Sequence, residues 1–254
     1  MIARIALGAG LSIVAAPSLG VECAVQSGAD RAVLLELYTS EGCSSCPPAD
    51  RWFSRLPLAG SGAPVVPLAF HVDYWDYIGW RDRFADPAWS ARQREAVRRA
   101  GGRTVYTPQV MRNGRDFPRW HASGALEKAA AGEPAARVKI SLRLAAAPAG
   151  LAVVADVQPS GATPGPNEVF VALTESRLAS TVRAGENRGT TLSHDHVVRS
   201  LASLGPVDAK GGSFRHVFAL GAGWKARDVA VAAFVQDSRT GDVLQAARLG
   251  NCAG

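Results

Sequence analysis

RAVLLELYTSEGCSSCPPAD, residues 31–50, decides how the rest of the chain is read. Its first half, Arg31 to Ser40, is apolar without alternation, which predicts a strand buried on both faces. Ala49 to Leu56 then has helical character and stops at Pro57. Between them lies a C-x-x-C, Cys43-Ser44-Ser45-Cys46. A cysteine pair set where a strand turns into a helix can close a disulfide and reopen it. The first thiol is acidified at the helix start, and the second lies one turn away, placed to attack whatever becomes bonded to the first. This spacing assigns Cys43 as the attacking thiol and Cys46 as the resolving thiol. Two features work against an acidic Cys43. Pro47 and Pro48 bias the residues before them away from the α region, and Glu41 adds a negative charge two residues upstream. Asp50 and Glu36 are candidate proton relays, although Asp50 also has Arg51 and Arg55 as ion-pair partners. Glu36 reaches the thiols only if a bulge resets the strand, because alternate residues face opposite ways.

Outward from this stretch, residues 30–132 alternate strands and helices. Val65 to Val72 is a second buried run. Asp86 and Pro87 are an N-cap and first-turn pair opening a helix that ends before Gly101. Val105 to Arg112 predicts a third strand, Asn113-Gly114 a hairpin turn, and Ala125 to Ala131 a last helix. Pro108 stands at the start of the third strand, where its missing N–H falls outside the ladder. A cis Thr107–Pro108 bond would lay this backbone beside the thiols to receive an extended peptide, so Thr107 and Pro108 are candidate substrate contacts. The segment from Asp73 to Phe84 holds five large aromatics among five charges. It reads as an aromatic cap on the sheet, or as one wall of a substrate groove that includes Trp75.

After Glu133-Pro134 the pattern changes. Val138, Ile140, Leu142 and Leu144 alternate with Lys139, Ser141 and Arg143, the mark of a half-buried strand. Leu151 to Val157, Val169 to Leu173, Phe214 to Leu220, Val229 to Val235 and Val243 to Arg248 resemble it. Residues 134–254 therefore read as a β-rich, sandwich-like domain.

The chain has 254 residues, 47% of them hydrophobic and 20% charged. This excludes a disordered chain and a polytopic membrane protein. The net charge of +6 is spread along the chain, which argues against a nucleic-acid stripe. Glu95 stands three and four residues before Arg98 and Arg99, as on the wet face of a helix. Residues 1–24 read as a signal peptide: Arg4 precedes a short uncharged run broken by Pro17, and Ser18-Leu19-Gly20 offers a cleavage site. The alternative is a retained membrane anchor. Export to the periplasm or beyond makes disulfides durable. Cys23 and Cys252 could then bridge the two ends; alternatively Cys23 leaves with the signal and Cys252 remains a tail thiol.

LELYTSEGCSSCPPAD, LAFHVDYWDYIGW, VYTPQ and NRGTTLSHDHVVR together resemble an exported bacterial family known as domain of unknown function 1223. More broadly, the strand–CSSC–helix unit, Thr107-Pro108 and the Asn113-Gly114 hairpin are similar to thioredoxin folds. The resemblance implies an α/β thioredoxin-like N-terminal domain over 30–132 followed by a family-specific β-rich, sandwich-like C-terminal domain. It implies Pro108 as the cis proline of such folds. It supplies no activity.

These readings converge on an exported thiol–disulfide oxidoreductase acting on a protein or small-molecule disulfide through a separate redox partner. No organic cofactor is required, since electrons travel as the cysteine pair. Two alternatives stand beside it. Cys43 and Cys46, with His194 and His196 if these share a strand face, are a copper or zinc ligand set. Or the Cys43–Cys46 bond is a permanent staple in a binding module.

Overall fold

The computed structural model describes residues 23–58, 64–162 and 165–250. The expected signal peptide and Cys252 lie outside these residues. Cys23 Sγ is 3.9 Å from the Gly250 carbonyl oxygen, which places the start of the described chain beside its end.

Strands β1 (Cys23–Gln26) and β2 (Val33–Thr39) lead into helix α1 (Pro47–Phe53), then β3 (Val65–His71), α2 (Pro87–Arg99), β4 (Gln109–Arg112), β5 (Arg115–Asp116) and α3 (Ala125–Ala131). There follow β6 (Val138–Ala147), β7 (Gly150–Pro159), β8 (Asn167–Glu175), β9 (Leu178–Thr181), β10 (Thr191–His194), β11 (Val197–Val207), β12 (Gly212–Phe218), β13 (Val229–Asp237) and β14 (Val243–Gly250). Strands occupy 44% of the described residues and helices 15%, so β-sheet organises this chain.

The expected α/β thioredoxin-like domain is not what forms. Strands from both sides of Glu133-Pro134 share one eight-stranded mixed sheet in the order β14-β13-β8-β11-β3-β2-β4-β5. The joining strand is β11, parallel to β3 through Val197 and Ala69 and antiparallel along the length of β8. Its signal is broken in the sequence. Register shifts fall between Val198 and Ser200 and between Ser203 and Gly205, and each bulge resets the alternation by which a strand is recognised.

A second sheet, β1-β6-β7-β12, covers one face of the large sheet. Ile140, Leu142, Leu144, Val153 and Val157 pack there on Val169, Val171, Leu173, Val231 and Val235. On the opposite face Phe170, Ala172, Ala232 and Phe234 meet Leu34, Leu68, Phe70 and Trp89. Both faces of β8 and β13 are thus apolar, which explains their unbroken hydrophobic runs. In β2, Leu35 and Leu37 face Ala49 and Phe53 of α1, while Leu34 and Tyr38 face the α2 side.

Local signals set the helices. Asp86 accepts a hydrogen bond from Ala88 N at 2.8 Å ahead of Pro87, and Glu95 pairs with Arg98 and Arg99 at 2.6 Å each. The Asn113-Gly114 turn has positive φ at both residues, 47° and 83°, as a tight hairpin turn requires. A Cβ on Gly114 would stand 1.9 Å from the Gly241 carbonyl oxygen in the β13–β14 turn. Gly114→Ala therefore combines left-handed backbone strain of about 1–2 kcal/mol with a backbone collision. Thermal unfolding should show a loss larger than that strain; an unchanged midpoint would mean the two turns part freely.

Candidate functional site

The site begins where β2 ends. Cys43 N donates to Ser40 O at 3.2 Å and Cys46 N to Cys43 O at 3.2 Å, winding the chain into a turn. Cys43 and Cys46 are joined by a disulfide with Cα atoms 5.4 Å apart. Cys46 adopts α geometry, φ −78° and ψ −37°, and α1 starts at Pro47. The expected avoidance of helix before these prolines is overridden. Ala49 N and Asp50 N both donate to Cys46 O, and proline costs no hydrogen bond in a first turn.

Ser45 Oγ lies 3.3 Å from Cys43 Sγ and donates to Thr107 O at 3.5 Å. The Thr107–Pro108 bond is cis. Trp75 Nε1 donates to Thr107 Oγ1 at 2.8 Å, and Trp75 also closes over Gly42, where a Cβ would meet its Cβ at 3.0 Å. The structure thus gathers Cys43, Cys46, Thr107, Pro108 and Trp75 into one place. Tyr77, in the single turn of 3-10 helix after Trp75, is 82% exposed.

The cysteines themselves are sealed: both are 0% exposed, while Ser44 and Ser45 between them face solvent. Part of the cover comes from the hairpin of β9 and β10, a two-stranded sheet apart from the other two. Asn187, in its loop, donates through Nδ2 to Glu41 O at 2.9 Å and Cys43 O at 3.0 Å. Glu186 Oε2 accepts from Ser44 N at 3.0 Å. The Ser44 side chain, with this backbone bond, holds the Glu186 carboxyl below its usual range. Asn187 opens the NRGTTLSHDHVVR segment singled out in the sequence, while Glu186 lies just outside it. Neither reads as a site residue from sequence alone, because their partners lie more than 140 positions away.

Behind the disulfide is a buried cluster of acids and imidazoles. His71 Nδ1 is 2.6 Å from Asp82 Oδ2, and Asp82 also accepts from Glu41 N at 2.9 Å. His194 Nε2 is 3.2 Å from Glu41 Oε1 but outside hydrogen-bond geometry, and Trp80 Nε1 donates to Glu41 Oε2 at 2.8 Å. The two imidazole rings meet edge to face, 4.8 Å between centroids. Asp50, from α1, shares with Leu37, Phe53, Ala69, His71, His194 and Asp195 a space too small for water. Burial raises the pKa of the Asp50 carboxyl, against the opposing pull of His194 and His71. Burial also works against a charged His71, but the Asp82 carboxylate beside it raises its pKa overall. For Asp82 burial pushes the pKa up, but His71 and the N–H groups of Glu41 and Phe84 together lower it.

Glu36 is not part of this group. β2 pairs with β3 without a register shift from Val33 to Thr39. No bulge turns Glu36 around, and its carboxylate pairs with Arg92 of α2 at 2.7 Å. His194 and His196 do not share a strand face either. β10 ends at His194, and His196 has a φ of 58° in the turn before β11, packed edge-on against Phe53. Among the described residues no three His, Cys, Asp or Glu side chains form a group able to hold a metal ion.

Burial, with the nearby charge of Arg248, depresses the His196 pKa from 6.5 to about 4. Between these values the unfolded chain binds a proton that the folded chain refuses, so stability rises with pH there and falls on acidification. At about 1.4 kcal/mol per pKa unit the loss amounts to about 3 kcal/mol. His196→Asn, which suits a positive φ, should remove much of the difference between urea midpoints near pH 4 and pH 7; an unchanged difference would assign the acid sensitivity elsewhere.

Residues 34–236 match the family described as protein of unknown function DUF1223. The chain belongs to that family. A crystal structure of an Agrobacterium tumefaciens protein shares 28% identity with it, covering 87% of this chain and 95% of that one, with a TM-score of 0.67. HBP35 of Porphyromonas gingivalis is 16% identical over 90% of this chain and 77% of that one, with a TM-score of 0.64, a likeness of fold. A comparison with curated proteins finds no match.

Proposed function

We propose that this DUF1223 protein is a thiol–disulfide oxidoreductase whose redox centre is the Cys43–Cys46 pair. The observation that carries the reading is the closed C-x-x-C at a strand-to-helix turn, with the Thr107–Pro108 backbone one serine away. An incoming thiolate attacks Cys43 Sγ and forms a mixed disulfide. The Cys43–Cys46 bond breaks, and Cys46 leaves with the electron pair as a thiolate that takes up a proton. In the opposite direction the Cys46 thiolate displaces the group bonded to Cys43 and restores the disulfide. Asp50 is the proton donor nearest in sequence to Cys46, one helical turn along α1. Thr107, Pro108 and Trp75 present backbone and an indole face to a disulfide-bearing protein or small molecule. The signal-like sequence of residues 1–24 supports an exported compartment for this chemistry, and we propose a separate redox partner for it.

Full burial of both sulfurs favours a second reading, a permanent staple. The two are separated by equilibrating the native protein with dithiothreitol and glutathione buffers. A potential well below about −300 mV marks a staple resistant to glutathione. For the exchange reading, Cys46→Ser should accumulate mixed disulfides on Cys43, and Cys43→Ser should trap none. Equal trapping by both variants would end that reading.

A further inference from the structure

Opening a disulfide in a water-free interior creates a thiolate that burial disfavours, so a proton must be at hand. Asp50 stands four residues after Cys46, the spacing that puts side chains on one face of a helix. Behind Asp50 are the His71–Asp82 and His194–Glu41 pairs, all five side chains buried. Desolvating so many ionisable groups costs more than an apolar filling of the same space, and such clusters collect where protons are handled. His71 Nε2 and both nitrogens of His194 have no hydrogen-bond partner, so these imidazoles retain unused capacity to take or give a proton.

Resting on the exchange reading above, we propose that His71 and His194 are a built-in proton store that keeps Asp50 supplied as the donor to Cys46. A dithiol thiolate attacks Cys43, the S–S bond breaks, and Cys46 leaves with the electron pair and takes the proton of Asp50. The second sulfur of the dithiol then displaces Cys43, which leaves with the electron pair and takes the proton that this sulfur gives up. The dithiol ends as a disulfide and the protein as two thiols. Asp50, now a carboxylate facing His71 and His194, is reprotonated from them, and they recover from solvent the proton that the first sulfur released on ionising. The other groups facing Asp50 are the Thr39 hydroxyl and the Asp82 charge, with Asp195 lining the same space. His71 and His194 act through Asp50 and are positioning residues.

The test is the rate of native disulfide opening by dithiothreitol across pH, divided by the thiolate fraction of the reagent. Wild type should show an inflection from the cluster. His71→Gln and His194→Gln should each open about tenfold more slowly near neutral pH and flatten that inflection, and Asp50→Asn should abolish it. Folding is checked by thermal unfolding; if a histidine variant fails to fold, Asp50→Asn decides. Variants that keep the wild-type pH profile overturn the proton store and leave disulfide exchange standing. A wild-type disulfide that dithiothreitol cannot open without denaturant overturns the exchange reading itself.

Discussion

Asn187→Ala opens the Cys43–Cys46 disulfide to an external phosphine about five- to a hundredfold faster than wild type. The Asn187 amide is one of the direct bonds between the β9–β10 hairpin and the turn that carries the cysteines. Its removal leaves the Glu41 carbonyl unpaired, and the Cys43 carbonyl with Cys46 N alone, while the hairpin is closed, at a cost of about 1–3 kcal/mol. An open hairpin lets water satisfy those carbonyls, so the penalty falls on the closed state alone. Each 1.4 kcal/mol multiplies the open population about tenfold, and a buried bond reacts through that population. The measurement is the rate of phosphine reduction under native conditions, followed by mass after alkylation, with the thermal midpoint as a control. Equal rates in variant and wild type would show that the hairpin does not govern access. Acid should loosen the same latch by another route. The Glu186 carboxyl titrates below its ordinary value because it accepts from Ser44. Its contribution is complete above the ordinary carboxylate pKa and is lost as pH falls through the lowered one. The exposure of Glu186 makes this the smaller effect.

Arg92→Ala costs about 3–5 kcal/mol of global stability, the loss expected when one member of a buried ion pair is removed. Glu36 is 1% exposed, and Arg92 is its cationic partner at 2.7 Å. The guanidinium also lies 5.4, 5.7 and 5.5 Å from the ring centroids of Phe70, Phe170 and Phe234. Those rings sit on β3, β8 and β13, so one side chain of α2 holds strands from both halves of the chain. Tyr38 is stacked on Phe70 at 5.4 Å, and burial, with Glu36 beside it, holds its phenol neutral. Removing both charges in Glu36→Leu/Arg92→Met should recover most of the loss, because no orphaned charge remains. Urea denaturation of the two singles and the double gives the coupling. A single-variant loss under about 1 kcal/mol would mean that water reaches Glu36 once Arg92 is gone.

Much of the β2–α1 unit can be read before any tertiary contact is known. A strand buried on both faces, the proline stop, the capped helix from Pro87 and the Asn113-Gly114 turn all follow from side chains acting on their own backbone. The alternation in β6 and β7 is equally local. The reading failed at β11, where two bulges hide the period, and with it failed the separation into an α/β half and a β half. Glu36 shows the same limit at single-residue scale. Whether a bulge intervenes is a matter of pairing with β3, and the register there is unbroken.

The composition of one short segment already specified the sulfur pair, its strand and its helix, because those features depend on neighbours a few bonds away. The cover over that pair, the imidazoles behind it and the single sheet uniting both halves depend on contacts between residues far apart in sequence. Asn187 is 144 positions from Cys43 and is its hydrogen-bond partner in a fold where β11, the strand after its hairpin, pairs with β3 and β8. Loop closure over such distances is favoured by burying the whole core at once, and no local propensity encodes it.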